Sequence, residues 1–354
     1  MGLRFRKTAI PILNLAYYSG LYRMLGSVYG GCGLIFSLHR VMEPGRPTLI
    51  YPNFMIHAHI LDDILGTVRR LGWELVSIDE VYRRLVDSKP VLGRGNWPRR
   101  FACFTCDDGY ADNLTVALPV FRKHQAPLCV YIASGFLERS AFYWWGASEE
   151  LVFKSDRIDL PPVANSGPRT LWARTLEEKL KSFQALTDLC HKQGEQFYPE
   201  LRQIFQEHGV DAQRSLDRDA LTAAQVRELA ADPLVTIGCH GVRHERLSRM
   251  TAKEVCLEME EGRRKLEDWL GVEVRHLAYP FGRSDACGPR EFALAQQLGF
   301  KTAVTTRQGN IFPQHRHYLH CLPRRSVPLN RVQLRNILFG VQTILHNDRR
   351  FQTD

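Results

Sequence analysis

The chain has 354 residues, 44% hydrophobic and 24% charged, which is the composition of an ordinary globular protein with a sizeable core. Its formal net charge of +9 is not gathered into any block of like sign, so it reads as a solvated basic surface and not as a nucleic-acid site. Nine cysteines, odd in number and scattered through apolar runs, argue against a disulfide framework and for buried, reduced thiols.

Arg4, Arg6 and Lys7 precede a mostly apolar stretch from Ala9 to Leu25. Pro11, Asn14, Gly20 and Arg23 interrupt it, and no small-residue cleavage site follows. It is too broken to span a bilayer, so residues 1–32 are expected to form an amphipathic segment. Such a segment packs on the domain or makes peripheral contact with an anionic membrane face. Together with the reduced-looking cysteines this suggests a cytoplasmic location.

Gly33 to Leu38 reads as a first buried strand ending at His39-Arg40. Apolar residues from Ile56 to Leu71 recur at helical spacing, and Gly72 closes that helix. Leu75 to Ile78 reads as a short strand, with Asp79 as the cap of the next helix. A basic loop at 89–100 leads into the strand Phe101 to Cys106, then a helix over 110–124 and a strand over 128–133. Residues from about 140 to 233 break the pattern. They open on Phe142-Tyr-Trp-Trp145, run through a Pro-rich stretch at 160–168, and continue in helical patterns over 171–191 and 195–208, which predicts a largely helical insertion. Strands are then expected at 234–238, 276–278, 302–305 and 319–323. The helix over 251–270 opens on the capping box of Thr251 and Glu254. A terminal helix spans 329–346 before a charged tail.

Short apolar strands alternating with amphipathic helices indicate a parallel α/β architecture over residues 33–330. Cys103-Phe-Thr-Cys106 matches Cys-x-x-Cys, but positions i and i+3 of a strand point to opposite faces, so both thiols read as core.

Three polar motifs follow strands directly: Asp107 to Tyr110, Cys239 to His244, and Tyr279 to Gly282. In a βα barrel that end carries the active site. Two adjacent carboxylates where a buried strand emerges need a cationic partner. His240 and His244 lie four apart, a spacing that a helical turn would bring to one side. Two imidazoles and one carboxylate suit zinc, nickel, cobalt or iron and leave positions open for water. Asp107 or Asp108 could supply both the third ligand and the base.

Thr105-Cys-Asp-Asp-Gly109 resembles the Thr-Phe-Asp-Asp-Gly motif of the polysaccharide deacetylase family, which includes chitooligosaccharide deacetylases. His240-Gly-Val-Arg-His244 resembles its His-Ser/Thr-x-x-His motif, and Tyr279-Pro-Phe-Gly282 its Arg-x-Pro-aromatic motif. The similarity runs from about Gly33 to Arg324. The resemblance implies a distorted (β/α)7 barrel with a helical insertion. It implies a metal-dependent hydrolase that removes N-acetyl groups from an N-acetylhexosamine-containing glycan and releases acetate. By the same resemblance Asp108, His240 and His244 hold a divalent metal, with zinc the first expectation. Asp107 is then the general base, and the Phe281 N–H stabilises the oxyanion.

The chain departs from the family pattern at several points. Cys106 and Gly241 replace a Phe and a hydroxyl residue, and Ala278 stands where the third-motif Arg belongs. Arg283, Arg324 and Arg325 are the candidates for that missing charge. His320, in a late Leu-x-His-like motif, is the expected general acid, with His317 and His39 next. Tyr279, Trp144, Trp145 and Arg324 are the expected substrate contacts. The two indoles would stack on sugar rings, or seal the insertion onto the barrel. Two other functions fit this pattern: a non-catalytic glycan-binding or assembly protein, and a metal hydrolase of O-acetyl esters or non-sugar amides.

Overall fold

The computed structural model describes residues 18–20, 29–43, 55–87, 100–162 and 169–341. Seven strands run parallel and close on themselves: β1 (Gly33–Leu38), β2 (Phe101–Cys106), β3 (Leu128–Ile132), β4 (Val235–Cys239), β5 (His276–Ala278), β6 (Thr302–Gln308) and β7 (Leu322–Ser326). Each pairs with the next in sequence. Phe36 against Arg325 and Ser37 against Ser326 join β7 back to β1. The chain therefore forms a closed seven-stranded parallel barrel with surrounding helices, as the family resemblance implies.

Both faces of these strands are covered, which is why β1, β2 and β3 are buried at every position and read as continuous apolar runs. One face fills the barrel with Ile35, Cys103, Cys129, Tyr131, Val304 and Leu322. The other, including Phe36, Phe104, Cys106 and Val130, packs under the helices. Cys103 and Cys106 thus belong to different cores, as strand alternation requires. All nine cysteines are free thiols.

The helix Ala252–Leu270 begins at the predicted capping box and ends at Gly271 in the left-handed region, φ 65°. Other boundaries moved. Only Glu74–Leu75 is strand where 75–78 was expected, and the next helix starts at Ile78. Ser77 Oγ accepts its Glu80 N–H at 3.2 Å, while Asp79 reaches across to His276 Nε2 at 3.2 Å. The last strand lies three residues later than expected. Arg324 and Arg325 look like a polar stop in the sequence, yet both are buried in β7, where Asp107 and Asn310 receive them.

Between β3 and β4 the chain builds a second hydrophobic cluster around Trp144, Leu151, Phe183, Leu186 and Phe205. It contains helices at Trp144–Lys154, Leu176–Gln193 and Tyr198–Glu207, and also an antiparallel hairpin, Arg157–Leu160 with Arg169–Trp172. Helical periodicity had not exposed the hairpin, because four-residue strands leave little pattern to read. Buried Arg40, just after β1, ties this region to the barrel. Its guanidinium binds Asp112 at 2.7 Å and Asp219 at 3.3 Å, and Tyr143 Oη donates to Asp219 at 3.3 Å. Most of the N-terminal segment 1–32, the basic loop before Arg100, and the tail from 342 lie outside the described residues. Among the described residues no helix is long and apolar enough to cross a membrane.

Candidate active site and metal centre

β2 delivers Asp107 and Asp108 to the C-terminal rim of the barrel. The Asp107 N–H still pairs with the Leu38 carbonyl at 3.0 Å, so the first carboxylate is held as if on the strand. Asp108 then turns to φ 74° and Gly109 to φ 85°. A Cβ on Gly109 would stand 3.1 Å from Ile132, so the turn needs glycine for both shape and space.

β4 delivers His240, whose N–H donates to the Ile132 carbonyl at 2.9 Å. The residues from Gly241 to His244 form an irregular loop and not the helical turn the spacing suggested. His244 sits at φ 57°. The loop is held by Glu258, a buried carboxylate of the helix Ala252–Leu270. It accepts the Val242 and Arg243 N–H groups at 2.9 and 3.0 Å and Arg243 Nε at 2.6 Å. Sequence reasoning missed Glu258. The available signal was an acid on the same helical face as Val255, Met259 and Gly262. Gly262 lets that helix approach the loop, since a Cβ there would lie 2.7 Å from the Gly241 carbonyl oxygen.

The result is a compact donor set. Asp108 Oδ1 lies 3.4 Å from His240 Nε2 and 3.2 Å from His244 Nε2, and donor atoms of all three residues lie within 4.8 Å of one another. His240 Nδ1 is 2.7 Å from the Ala278 carbonyl, which can only accept, so Nδ1 carries the proton. In the neutral ring Nε2 then turns a lone pair toward an anionic oxygen. Asp108 Oδ1 is buried and accepts no hydrogen bond among the described residues. Ring protons or a shared cation must relieve this contact between two imidazole nitrogens and a buried carboxylate oxygen. The three side chains therefore fit a divalent metal, and the Ala278 carbonyl holds the His240 ring as metal-bound imidazoles are usually held. Burial would raise the Asp108 carboxyl, but the two imidazoles outweigh it and hold it well below the usual range.

Asp107 faces a different partner. Arg324 Nη1 and Nη2 donate to its two oxygens, each at 2.7 Å. Burial opposes the charge on Asp107, yet the guanidinium prevails and keeps the carboxyl below its ordinary value. Arg324 thus takes the place left by Ala278 at the third motif. Arg283 is exposed and bound to Asp285, and Arg325 points to Asn310. Arg324 is fully buried beneath Asp107, so it is no substrate contact.

Residues 183–303 match the family model described as polysaccharide deacetylase. That stretch is similar to the polysaccharide deacetylase family. Its barrel is similar to that of PplD, a Streptococcus pyogenes deacetylase solved with acetate. The two are 17% identical with a TM-score of 0.52, over 90% of this chain and 98% of that one. IcaB from Ammonifex degensii aligns at 15% identity and TM-score 0.53, over 88% and 98% of the chains. A de-N-acetylase from Aggregatibacter actinomycetemcomitans aligns at 14% and 0.51, over 84% and 96%. At these identities the likeness is one of fold. No curated protein is similar to the chain in sequence.

Several residues singled out through the family pattern stand elsewhere than expected. His320 precedes β7, so it lies at the opposite end of the barrel from Asp107. Its Nε2 is 2.7 Å from the Phe300 carbonyl. His39, directly after β1, is the histidine at the site, with Nε2 3.9 Å from Asp107 Oδ2. Tyr279 is fully buried, its hydroxyl donating to the His320 carbonyl at 2.8 Å, so it touches no substrate. Trp144 is buried in the core of the insertion. Trp145 does reach the site. Its ring centroid is 5.1 Å from that of His244, and its Nε1 donates to Tyr110 Oη at 2.8 Å. Phe281 adopts φ 61°, stacks its ring 4.9 Å from His244, and has no acceptor for its N–H among the described residues. Asp108, His244 and Phe281 are three of five non-glycine residues with positive φ among the described residues. Such strain gathers where surrounding structure imposes it, commonly at functional sites.

Proposed function

We propose that this protein is a metal-dependent hydrolase of the polysaccharide deacetylase type, removing acetyl groups from N-acetylhexosamine residues of a glycan. The observation that carries this reading is the division of labour between adjacent acids. Asp108 Oδ1 is directed at two imidazole nitrogens, and Asp107 is held ionised by Arg324.

Asp108, His240 and His244 would hold the cation, with zinc the best match to two imidazoles and a carboxylate. A divalent cation there supplies Lewis acidity, polarising the acetamide carbonyl and lowering the pKa of water. Asp107, ionised and at the strand end, takes the proton of the attacking water. The Phe281 N–H, in a residue of left-handed backbone and without an internal acceptor among the described residues, donates to the developing oxyanion. Neutral His39, whose pKa is lowered chiefly by burial, stands 3.9 Å from Asp107 and relays the proton to the leaving amine. The C–N bond breaks, the amine takes that proton, and acetate leaves. Trp145 walls the acetyl side beside His244.

Acetate release from N-acetylated glycans, measured with and without chelator, tests this reading. Chelator-sensitive release is expected. No release across the panel, or release that survives chelation, would reject it.

A further inference from the structure

The insertion does more than cover the barrel. The helix Leu176–Gln193 brings His191 to the lip of the site. Its ring meets the Phe281 ring edge-on, with centroids 5.5 Å apart and planes at 87°. Phe281 in turn touches His244, so His191 stands one aromatic ring away from the donor set. Trp144 holds the imidazole as well, at 5.8 Å and 88°. The backbone here is pinned, since Arg249 Nη2 donates to the His191 and Lys192 carbonyls and Gly194 turns the chain at φ 61°.

The ring itself is half-buried, and neither nitrogen has a hydrogen-bond partner among the described residues. A half-buried polar group clamped between two aromatics, one ring away from His244 and without an internal partner, is set up to meet something from outside. Its charge state narrows what that is. Burial first, then the nearby Arg246 and Arg283 guanidiniums, lower its pKa to about 4. At neutral pH the imidazole is therefore uncharged, with one N–H donor and one bare acceptor nitrogen. That pair of functions matches a sugar hydroxyl, which both gives and takes a hydrogen bond. It does not match an isolated acetyl group.

We infer that His191 is a specificity-determining residue that the insertion supplies to the active site, hydrogen-bonding a ring hydroxyl of the glycan and so favouring glycan acetamides over acetyl groups without a sugar. This rests on the deacetylase reading and adds a residue and a selectivity to it.

The test uses the full-length, zinc-loaded protein and a tetramer of β-1,4-linked N-acetylglucosamine. Binding and acetate release are both recorded, alongside hydrolysis of 4-nitrophenyl acetate, which carries no sugar. His191→Phe keeps a ring against Phe281 and Trp144, and His191→Gln restores a donor and an acceptor. His191→Phe is expected to weaken tetramer binding and raise KM about 10-fold, the worth of one hydrogen bond, with kcat and ester turnover little changed. His191→Gln should recover most of the loss. Equal tetramer binding by the unsubstituted protein and His191→Phe overturns the inference even if acetate is released. A parallel loss on the ester overturns it too, because the ring would then act by shaping Phe281. Failure of the unsubstituted protein to bind the tetramer overturns it as well. His191-dependent binding without acetate release would instead sustain the inference and remove the deacetylase reading.

Discussion

Replacing Arg324 with Met separates the two acids at the site. The side chain is fully buried, and its two bonds of 2.7 Å to Asp107 are the carboxylate's main compensation for burial. Removing one partner of a buried ion pair costs about 3–5 kcal/mol, because the other charge is left uncompensated. The sign follows from the two opposing causes. With Arg324 the folded-state pKa is lowered, so the pair contributes stability above the unfolded carboxyl pKa, and that stability is lost as pH falls through the folded value. Without Arg324 burial meets only the weaker influence of His240 and His39, and the pKa rises. The stability gap between the two proteins should therefore be smallest in acid, where both carboxyls are protonated, and widen as pH rises through the lowered Asp107 value of the unsubstituted protein. Urea denaturation across that range reads the gap. The acid limb of the kcat/KM profile should move upward, since Asp107 must be ionised to act as base in the proposed reaction. A variant with an unmoved acid limb and less than about 1 kcal/mol of stability loss would refute the assignment of Arg324 as the group that holds the base ionised.

Further outcomes follow from the same geometry. Asp108→Asn and His244→Ala should each abolish bound metal as read by elemental analysis, whereas Asp107→Asn should keep the metal and lose turnover. Undiminished metal in His244→Ala would remove it from the donor set. His39→Gln should lower kcat by about 10²-fold or more with KM little changed, while His320→Ala, at the far end of the barrel, should leave kcat unchanged. The reverse result would return the acid role to His320. Arg40→Met leaves Asp112 and Asp219 buried without their shared cation, and should cost about 3–5 kcal/mol in denaturant unfolding. A loss well under 1 kcal/mol would show that Arg40 does not fasten the insertion to the barrel.

Local chemistry was legible in the chain itself. Strands covered on both faces must be apolar throughout, so Phe101 to Cys106 and Leu128 to Ile132 stand out without any structure. The capping box at Thr251 is a pair of short-range hydrogen bonds, and it forms as its spacing predicts. Acids and histidines placed directly after strands announce themselves as too polar for the cores they border, which is why Asp107, Asp108, His240 and His244 were readable as a cluster. Long-range partnership was not. Arg324 lies 217 residues from Asp107, and no pattern along the chain says that this arginine and not Arg283 or Arg325 enters the barrel. His39 and His320 both follow or precede short strands, and only barrel closure decides which end each occupies. Glu258 looks like an ordinary helical acid until Gly262 allows its helix against the loop from Gly241 to His244. Periodicity reports what a residue's neighbours in sequence require, whereas a buried charge is compensated by whatever the fold sets opposite it, and only the tertiary structure decides that.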